Sequence, residues 1–248
     1  MRAILIQLLM FPLIAVAASK EARLEPAPID PRDAVSIQRG VQVFVNYCLN
    51  CHAAESMRYK RLEDLGLTQQ QIKDNLMFAA DKVGDTMTVA MRRSDANRWF
   101  GVAPPDLSVI DRARGADWLY AYLRSFYRDD TRDSGWNNLV FPKVGMPHVL
   151  YELQGEQLLK SLPGSENDSA SGAPSLVLET PGKLSPAAYD RLTADLVNYL
   201  AYMSEPARET RIRIGYAVLI FLGLLLVPVY LLKKEYWKGI HPGAPRPN

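Results

Sequence analysis

The stretch Cys48-Leu49-Asn50-Cys51-His52 places two thiols three residues apart and an imidazole directly after the second thiol. This spacing is typical of the attachment site for a c-type haem, in which both thiols bond to the macrocycle and the imidazole binds the iron axially. A thioredoxin-like redox motif would follow a βα pattern, whereas helical periodicity precedes this stretch. A four-ligand zinc site would need a second Cys or His pair, but the 248 residues hold no further cysteine and only isolated histidines. The motif therefore predicts one covalently bound haem c.

A helix is predicted directly before the motif, over residues 33–47. Apolar side chains recur on one face at helical spacing, namely those of Ile37, Val41, Phe44, Val45 and Cys48. Gly40 also lies in this helix, and a glycine inside a helix costs about 1 kcal/mol relative to alanine. Close approach of a second helix at Gly40 would offset that cost.

A second helix that suits this contact is predicted far downstream. Ser185 is a favourable N-cap and Pro186 a favourable first helical residue. Apolar side chains then line one face, at Tyr189, Leu192, Leu196, Tyr199, Leu200 and Met203. A first helix that carries the motif and a last helix that crosses it at Gly40 and Phe44 resemble the class I cytochrome c fold. The predicted fold is mainly α: a class I cytochrome c-like haem domain with insertions, followed by one C-terminal transmembrane helix.

Shorter helices and loops are predicted between these two helices. Thr68 can cap a helix over residues 69–78, and further helices are predicted over 106–112 and 116–127. Residues 155–183 are interpreted as loop, because the stretch from 163 onward is polar and contains several Gly and Ser residues.

The N-terminal residues 1–18 are interpreted as a secretory signal peptide. Arg2 is followed by an apolar run, and Ala15-Val16-Ala17 provides small residues for cleavage. An uncleaved anchor is the alternative. An export signal agrees with the haem motif, because covalent haem attachment takes place outside the cytoplasm.

The C-terminal anchor is predicted over residues 208–235, with an apolar core at 214–232. That core has 19 residues without a charge, which span about 28 Å as a helix and suffice for a hydrocarbon layer of about 30 Å. Basic residues flank the core on both sides, so the haem motif decides the orientation. Residues 19–207 are predicted to form a periplasmic haem domain, and residues 236–248 a short cytoplasmic tail.

The charge distribution excludes one class of partner. The formal net charge is +2, but residues 20–205 hold 21 basic and 25 acidic side chains, while the remaining residues hold 8 basic and 2 acidic ones. A nucleic-acid-binding protein would have a basic body. The sequence instead predicts a mildly acidic domain with a basic membrane-proximal tail and no nucleic-acid partner.

The second axial ligand decides whether the iron transfers electrons or binds small molecules. A methionine sulfur closes the site and raises the reduction potential, whereas an open site admits gases or peroxide. Met146 is the favoured candidate from local chemistry, because Pro142, Gly145 and Pro147 make its loop stiff. Met87 or Met91 comes next, and His148 is the main alternative that is not a methionine.

A series of further segments resembles the cytochrome c1 family. The segments are Arg39-Gly40, Phe44, Cys48–His52, Met57-Arg58-Tyr59, Ala103–Ser108, Arg112–Gly115, Phe141-Pro142, Gly145–Pro147, Asp195–Val197, Tyr199-Leu200 and Glu205-Pro206, followed by the C-terminal anchor. The Cys-x-x-Cys-His motif is shared by all c-type cytochromes. The Pro-Pro-Asp-Leu-Ser segment, the Gly-Met-Pro loop and the anchor, in that order, are more specific. The short N-terminal signal resembles the bacterial members.

The resemblance implies a role for each matching residue. It implies thioether bonds at Cys48 and Cys51, axial ligation by His52 and Met146, a position of Arg114 near a haem propionate, and Pro104 and Pro105 in the pocket wall. Many members carry a tyrosine where this chain has Trp118, so an indole N–H would replace a phenol beside the propionate.

The resemblance also implies a function. The chain is expected to be the electron-carrier subunit of a quinol–cytochrome c oxidoreductase in a bacterial inner membrane, beside cytochrome b and Rieske iron–sulfur subunits in a dimeric complex. It would accept one electron from the Rieske protein and pass it to a soluble cytochrome c. The chain alone would not be an enzyme. The alternative is a membrane-anchored cytochrome c that feeds a terminal oxidase or another reductase.

Overall fold

The computed structural model describes residues 24–160 and 175–238. The predicted signal peptide, most of the polar stretch after residue 163 and the last ten residues lie outside the described ranges.

The described residues are mainly helical. The helices are α1 Ala34–Val43, α2 Gln69–Asn75, α3 Arg93–Phe100, α4 Ile110–Arg114, α5 Ala116–Arg124, α6 Tyr151–Gln154, α7 Pro186–Ser204 and α8 Arg208–Tyr236. A π-helical turn, Phe44–Cys48, extends α1, and a 3₁₀ helix covers Tyr59–Leu65. Antiparallel pairs join β1 Ala54–Arg58 to β2 Thr86–Met87, β3 Phe126–Arg128 to β4 Trp136–Asn138, and β5 Gly155–Lys160 to β6 Ser175–Pro181. The predicted fold class is confirmed.

Helix α1 leads directly into the haem motif. Asp33 caps its start and accepts hydrogen bonds from the backbone N–H groups of Val35 and Ser36, at 3.1 and 3.0 Å. After the π-helical turn, the carbonyl oxygen of Cys48 accepts from the N–H groups of Cys51 and His52, at 3.0 and 2.8 Å. This tight turn brings the two thiols and the imidazole together.

Helix α7 crosses α1 at Gly40, as predicted. A Cβ atom at Gly40 would overlap the carbonyl oxygen of Asp195, so only glycine permits this approach. The rings of Phe44 and Tyr199 pack with centroids 5.2 Å apart. Asp195 also forms an ion pair with Arg39 at 2.6 Å, so the crossing combines apolar packing with a polar contact.

Three boundaries differ from the prediction. The helix predicted over 106–112 occupies Ile110–Arg114, because the Asp106 carboxylate accepts hydrogen bonds from the N–H groups of Ser108 and Glu55 and holds a turn. The helix predicted over 116–127 ends at Arg124, since the next residues pair with β4. The helix after Thr68 ends at Asn75 rather than at residue 78.

The interpretation of residues 155–183 as loop was wrong. The structure pairs β5 with β6 in register from Gly155–Pro181 to Lys160–Ser175, with one irregularity next to Glu156. Gln157 ties β5 to the core by donating to the carbonyl oxygens of Arg124 and Phe126, both at 2.9 Å. The polar composition between the strands concealed the pairing.

Helix α8 is, among the described residues, the one helix long and apolar enough to cross a membrane. It has 29 residues and carries Pro228 in its interior. None of its apolar window is buried against the described part of the chain. That exposure argues against a core helix of a soluble domain and agrees with the predicted anchor.

Candidate functional site

A cavity of about 320 Å³ lies beside the haem motif. Its lining is almost entirely apolar and comes from the motif, α4, α5, α7 and the segments 100–107 and 141–149. All seven residues assigned to the site from the sequence line it: Cys48, Cys51, His52, Pro104, Pro105, Arg114 and Met146. A mostly apolar concavity with a few polar groups is the usual form of a cofactor site.

The two cysteines form no disulfide, and both line the cavity. Burial raises the pKa of the Cys48 thiol to about 12 and also raises the pKa of Cys51. Both groups are therefore neutral thiols at neutral pH rather than thiolates. Neutral thiols do not suit a site for a bare metal ion, which binds thiolates. The spacing of the two thiols suits thioether bonds to a macrocycle.

His52 is oriented by a backbone carbonyl. Its Nδ1 lies 2.8 Å from the carbonyl oxygen of Pro105 and donates a hydrogen bond to it. Burial lowers the pKa of His52, which favours the neutral ring that a metal requires. With Nδ1 protonated, Nε2 carries the lone pair, and this is the usual arrangement of a metal-bound histidine.

Met146 is, among the described methionines, the one that lines the cavity. The hydroxyl of Tyr122 donates to its Sδ at 3.4 Å. Burial raises the pKa of Tyr122, so this phenol stays protonated and remains a donor. A thioether held on the cavity wall by a neutral donor suits axial ligation of iron.

The alternatives to Met146 lie elsewhere. Met87 is fully buried and its Sδ accepts a hydrogen bond from Tyr199 at 3.3 Å. His148 is buried in a ring cluster, stacked on Phe126 with centroids 4.8 Å apart. Burial lowers the pKa of His148 to about 4, so it is a neutral core residue. Neither of these residues lines the cavity, and neither does Met91.

Arg114 is the cation that lines this cavity. Its guanidinium lies over the ring of Trp118, 4.9 Å from the centroid, and 5.7 Å from that of Phe141. Trp118 in turn stacks on Tyr122, with centroids 4.9 Å apart and planes 10° apart. One exposed arginine at the edge of an apolar cavity suits an anionic group carried by a mostly apolar ligand.

The resemblance pointed to Trp118, but sequence reasoning missed Tyr122. The two residues are four positions apart on α5 and therefore share a face of this helix, a spacing that the sequence already contains. Their role became visible only with the loop that carries Met146. The thiols, the neutral imidazole, the thioether and the apolar walls together fit a haem.

The model of the Cytochrome C1 family matches residues 26–158 and 180–240. The chain belongs to the cytochrome c1 family. It is similar to cytochrome c1 of Allochromatium vinosum, with 48% identity over 94% of this chain and 96% of that protein. It is also similar to a protein of Nitrosomonas europaea named ammonia monooxygenase gamma subunit, with 50% identity over 96% of this chain and 97% of that protein. Cytochrome c1 of Rhodospirillum rubrum is 28% identical over 84% of this chain and 83% of its own length.

Membership in the cytochrome c1 family has direct consequences. The chain carries a covalently bound haem c and is a respiratory electron-carrier subunit of the cytochrome bc1 complex. It functions as a redox subunit of a larger assembly, and helix α8 anchors it in the membrane.

Proposed function

We propose that this cytochrome c1 accepts one electron from the Rieske iron–sulfur subunit of a quinol–cytochrome c oxidoreductase and passes it to a soluble cytochrome c. The observation that carries the proposal is that Cys48, Cys51, His52 and Met146 line one apolar cavity. This set provides covalent attachment, a nitrogen ligand and a sulfur ligand. It provides no group that must act as acid, base or nucleophile.

Cys48 and Cys51 would hold the haem through thioether bonds, and His52 and Met146 would bind its iron. When bound, the haem supplies one-electron chemistry between Fe(III) and Fe(II). A Rieske centre has a reduction potential of up to about +300 mV, so its acceptor needs a comparably high potential. A methionine ligand raises the potential, and a buried, apolar pocket contributes in the same direction.

The neighbouring residues orient these ligands and shape the pocket. The carbonyl oxygen of Pro105 fixes the His52 ring, and Pro104 continues the same wall. Arg114 would neutralise a haem propionate; its guanidinium lies over Trp118, whose indole N–H would be a second donor to that group. These contacts hold the group in one orientation and exclude water from most of it.

Electron exchange with partners requires an accessible edge of the haem. Phe100, Val102 and Phe141 line the cavity, yet each exposes more than a third of its surface. Exposed apolar side chains at the margin of a redox site are typical of a partner-binding surface. We propose that the Rieske head and the soluble cytochrome c dock at this margin.

The arrangement in the membrane follows from the same proposal. Residues 1–18 direct export, residues 19–207 form the haem domain on the periplasmic side of a bacterial inner membrane, residues 208–235 cross the membrane, and residues 236–248 remain in the cytoplasm. Cytochrome b and the Rieske protein are the partners within a dimeric complex.

Replacing Met146 with leucine tests the ligand assignment in the assembled complex. We expect the reduction potential of haem c to fall, carbon monoxide to bind the reduced haem, and quinol–cytochrome c turnover to stop. Met87→Leu is the matched control, because Met87 is a buried methionine outside the cavity. An unchanged potential and wild-type turnover in Met146→Leu would contradict the assignment.

Purification of the complex tests the partners. A C-terminal tag on the full chain, gentle solubilisation and a reduced-minus-oxidised spectrum after quinol addition should show haem b bands beside haem c. The name of the Nitrosomonas relative raises a second candidate, a subunit of an ammonia monooxygenase. Co-purification of monooxygenase subunits, or of a terminal oxidase, without haem b would replace the proposed partnership.

A further inference from the structure

Two buried asparagines at the end of β4 hold the loop that carries Met146. Asn138 is fully buried and Asn137 exposes 8% of its surface. We propose that Asn137 and Asn138 are positioning residues for Met146 and determine how firmly its sulfur occupies the axial position of the haem. This inference rests on the proposed ligation by Met146.

Asn138 connects helix α5 to the beginning of the loop. Its Nδ2 donates to the carbonyl oxygen of Tyr122 at 2.8 Å. Its Oδ1 accepts from the backbone N–H groups of Val140 and Phe141, at 2.9 and 3.0 Å. One amide thus satisfies three backbone groups, and an aliphatic side chain of similar size would satisfy none.

Tyr122, the helical residue that binds Asn138, also contacts the proposed ligand Met146. Tyr122 provides its carbonyl oxygen to Asn138 and its hydroxyl to Sδ of Met146. The loop is therefore fixed to α5 at its start through Asn138 and at its end through the sulfur. Loss of the Asn138 side-chain contacts would leave the hydrogen bond from the Leu139 N–H to the Ser125 carbonyl oxygen, at 3.0 Å, and the Tyr122 hydroxyl to hold the loop to this end of the helix.

Asn137 holds the sharp turn in the middle of the loop. Its Oδ1 accepts from the N–H of Lys143 at 2.8 Å, and its Nδ2 donates to Asp129 at 2.8 Å. Lys143 has a φ of 62°, in the left-handed region that residues other than glycine rarely adopt. Arg132 donates to the carbonyl oxygen of Lys143 at 3.2 Å, so both peptide groups of the strained residue are held.

The residues after the turn have little room to move. Val144 is buried in a cluster with Phe126 and Trp136. A Cβ atom at Gly145 would lie 3.1 Å from Val102, so the backbone lies close to that side chain. Met146 follows directly, and its position therefore depends on the turn at Lys143. A backbone conformation of this kind is maintained only where surrounding contacts stabilise it. The hydrogen bond from Lys143 to Asn137 is such a contact.

The first test is carbon monoxide binding to the reduced, haem-loaded complex that contains Asn138→Ala. A loosened sulfur ligand competes less well with carbon monoxide. Replacing a residue that orients a metal ligand typically changes metal affinity or activity by about 10- to 100-fold. We expect an increase of similar size in carbon monoxide affinity. The reduction potential should fall in parallel. Wild-type affinity and potential in Asn138→Ala would overturn the inference.

Asn198→Ala is the matched control for a general loss of stability. Asn198 is also fully buried, and its Nδ2 donates to the carbonyl oxygen of Asp30 and to Ser36, at 2.8 and 3.0 Å. It does not line the cavity. We expect this variant to unfold at a lower temperature with wild-type carbon monoxide affinity. An increase in affinity equal to that of Asn138→Ala would overturn the inference.

A second set of variants is independent of how well Asn138→Ala folds. Asn137→Ala should also increase carbon monoxide affinity. Adding Lys143→Gly should return the affinity to the wild-type value, since glycine adopts a positive φ without strain. Failure of Lys143→Gly to restore the affinity would overturn the role of Asn137. Met146→Leu separates the two proposals: if it leaves carbon monoxide binding unchanged, the ligand assignment itself is wrong.

Discussion

Replacing Gly40 with alanine should destabilise this cytochrome c1, although alanine is the better helix former. The new Cβ would overlap the carbonyl oxygen of Asp195 and lie 2.7 Å from the Cβ of Tyr199. Relief of these overlaps requires α1 and α7 to separate by at least roughly 1 Å, and a gap of 0.5–1 Å already forfeits about a quarter to a half of the dispersion energy of each contact.

The expected loss of folding free energy in Gly40→Ala is the difference between two opposing effects. Alanine gains about 1 kcal/mol over glycine in helix propensity. Overpacking of a core costs about 1–3 kcal/mol, and the upper end applies here, because the obstructing atoms belong to the backbone of α7 and cannot rotate away. The expected net loss is about 2 kcal/mol, which corresponds to a fall of roughly 4–8 °C in Tm for a domain of this size.

Thermal unfolding of the full haem-loaded chain in detergent, followed by circular dichroism, measures this loss. Gly84→Ala is the matched control, since nothing lies within 4 Å of a Cβ added at Gly84. Its stability should change by no more than about 0.5 kcal/mol. If Gly40→Ala unfolds at the same temperature as Gly84→Ala, the argument that this crossing requires glycine is refuted.

Other contacts of the haem domain give predictions that the same measurement checks. Ser185→Ala removes the N-cap of α7 and should cost about 1 kcal/mol, whereas Ser185→Asp retains a capping oxygen and should cost little. Asp195→Ala should cost about 2 kcal/mol, because this carboxylate accepts from Ser36 and twice from Arg39. Arg39→Ala should cost at most about 1 kcal/mol, because that side chain is half exposed. Met87→Leu should cost less than about 1.5 kcal/mol and leave the haem spectrum unchanged, and a changed spectrum would restore Met87 as a candidate ligand.

The parts of the fold that the sequence predicts are those encoded by local signals. Ser185-Pro186 marks the start of α7, and Ser185 accepts from the N–H of Ala188 as an N-cap should. Thr68 forms a capping box with Gln71. The crossing of α1 and α7 was predictable because glycine is unfavourable inside a helix. Its presence at position 40 therefore indicates a close contact with another element. The two caps lie within one turn of the helix starts that they predict, and Gly40 lies at the crossing itself, although its partner Asp195 is distant in sequence.

The parts that the sequence does not predict depend on contacts between distant residues. Residues 126–127 continue a helical pattern, but the structure places them in β3 because β4 offers hydrogen-bonding partners. The strands β5 and β6 belong to a segment with a polar middle, and their pairing joins Gly155 to Pro181. Composition alone indicates a loop in such a segment, since it contains no information about the register between its two ends.

The two sides of the haem site differ in the same way, and this difference determines how each side should respond to mutation. On the motif side, the carbonyl oxygen of Cys48 accepts from both Cys51 and His52 within a single turn, so the proposed attachment and the proposed nitrogen ligand are encoded by five consecutive residues. On the other side, Met146 depends on side-chain amides from β4 and on a hydroxyl from α5. Substitution of a motif cysteine should therefore prevent attachment, whereas substitutions around Met146 should leave the haem attached and change its potential and its resistance to carbon monoxide.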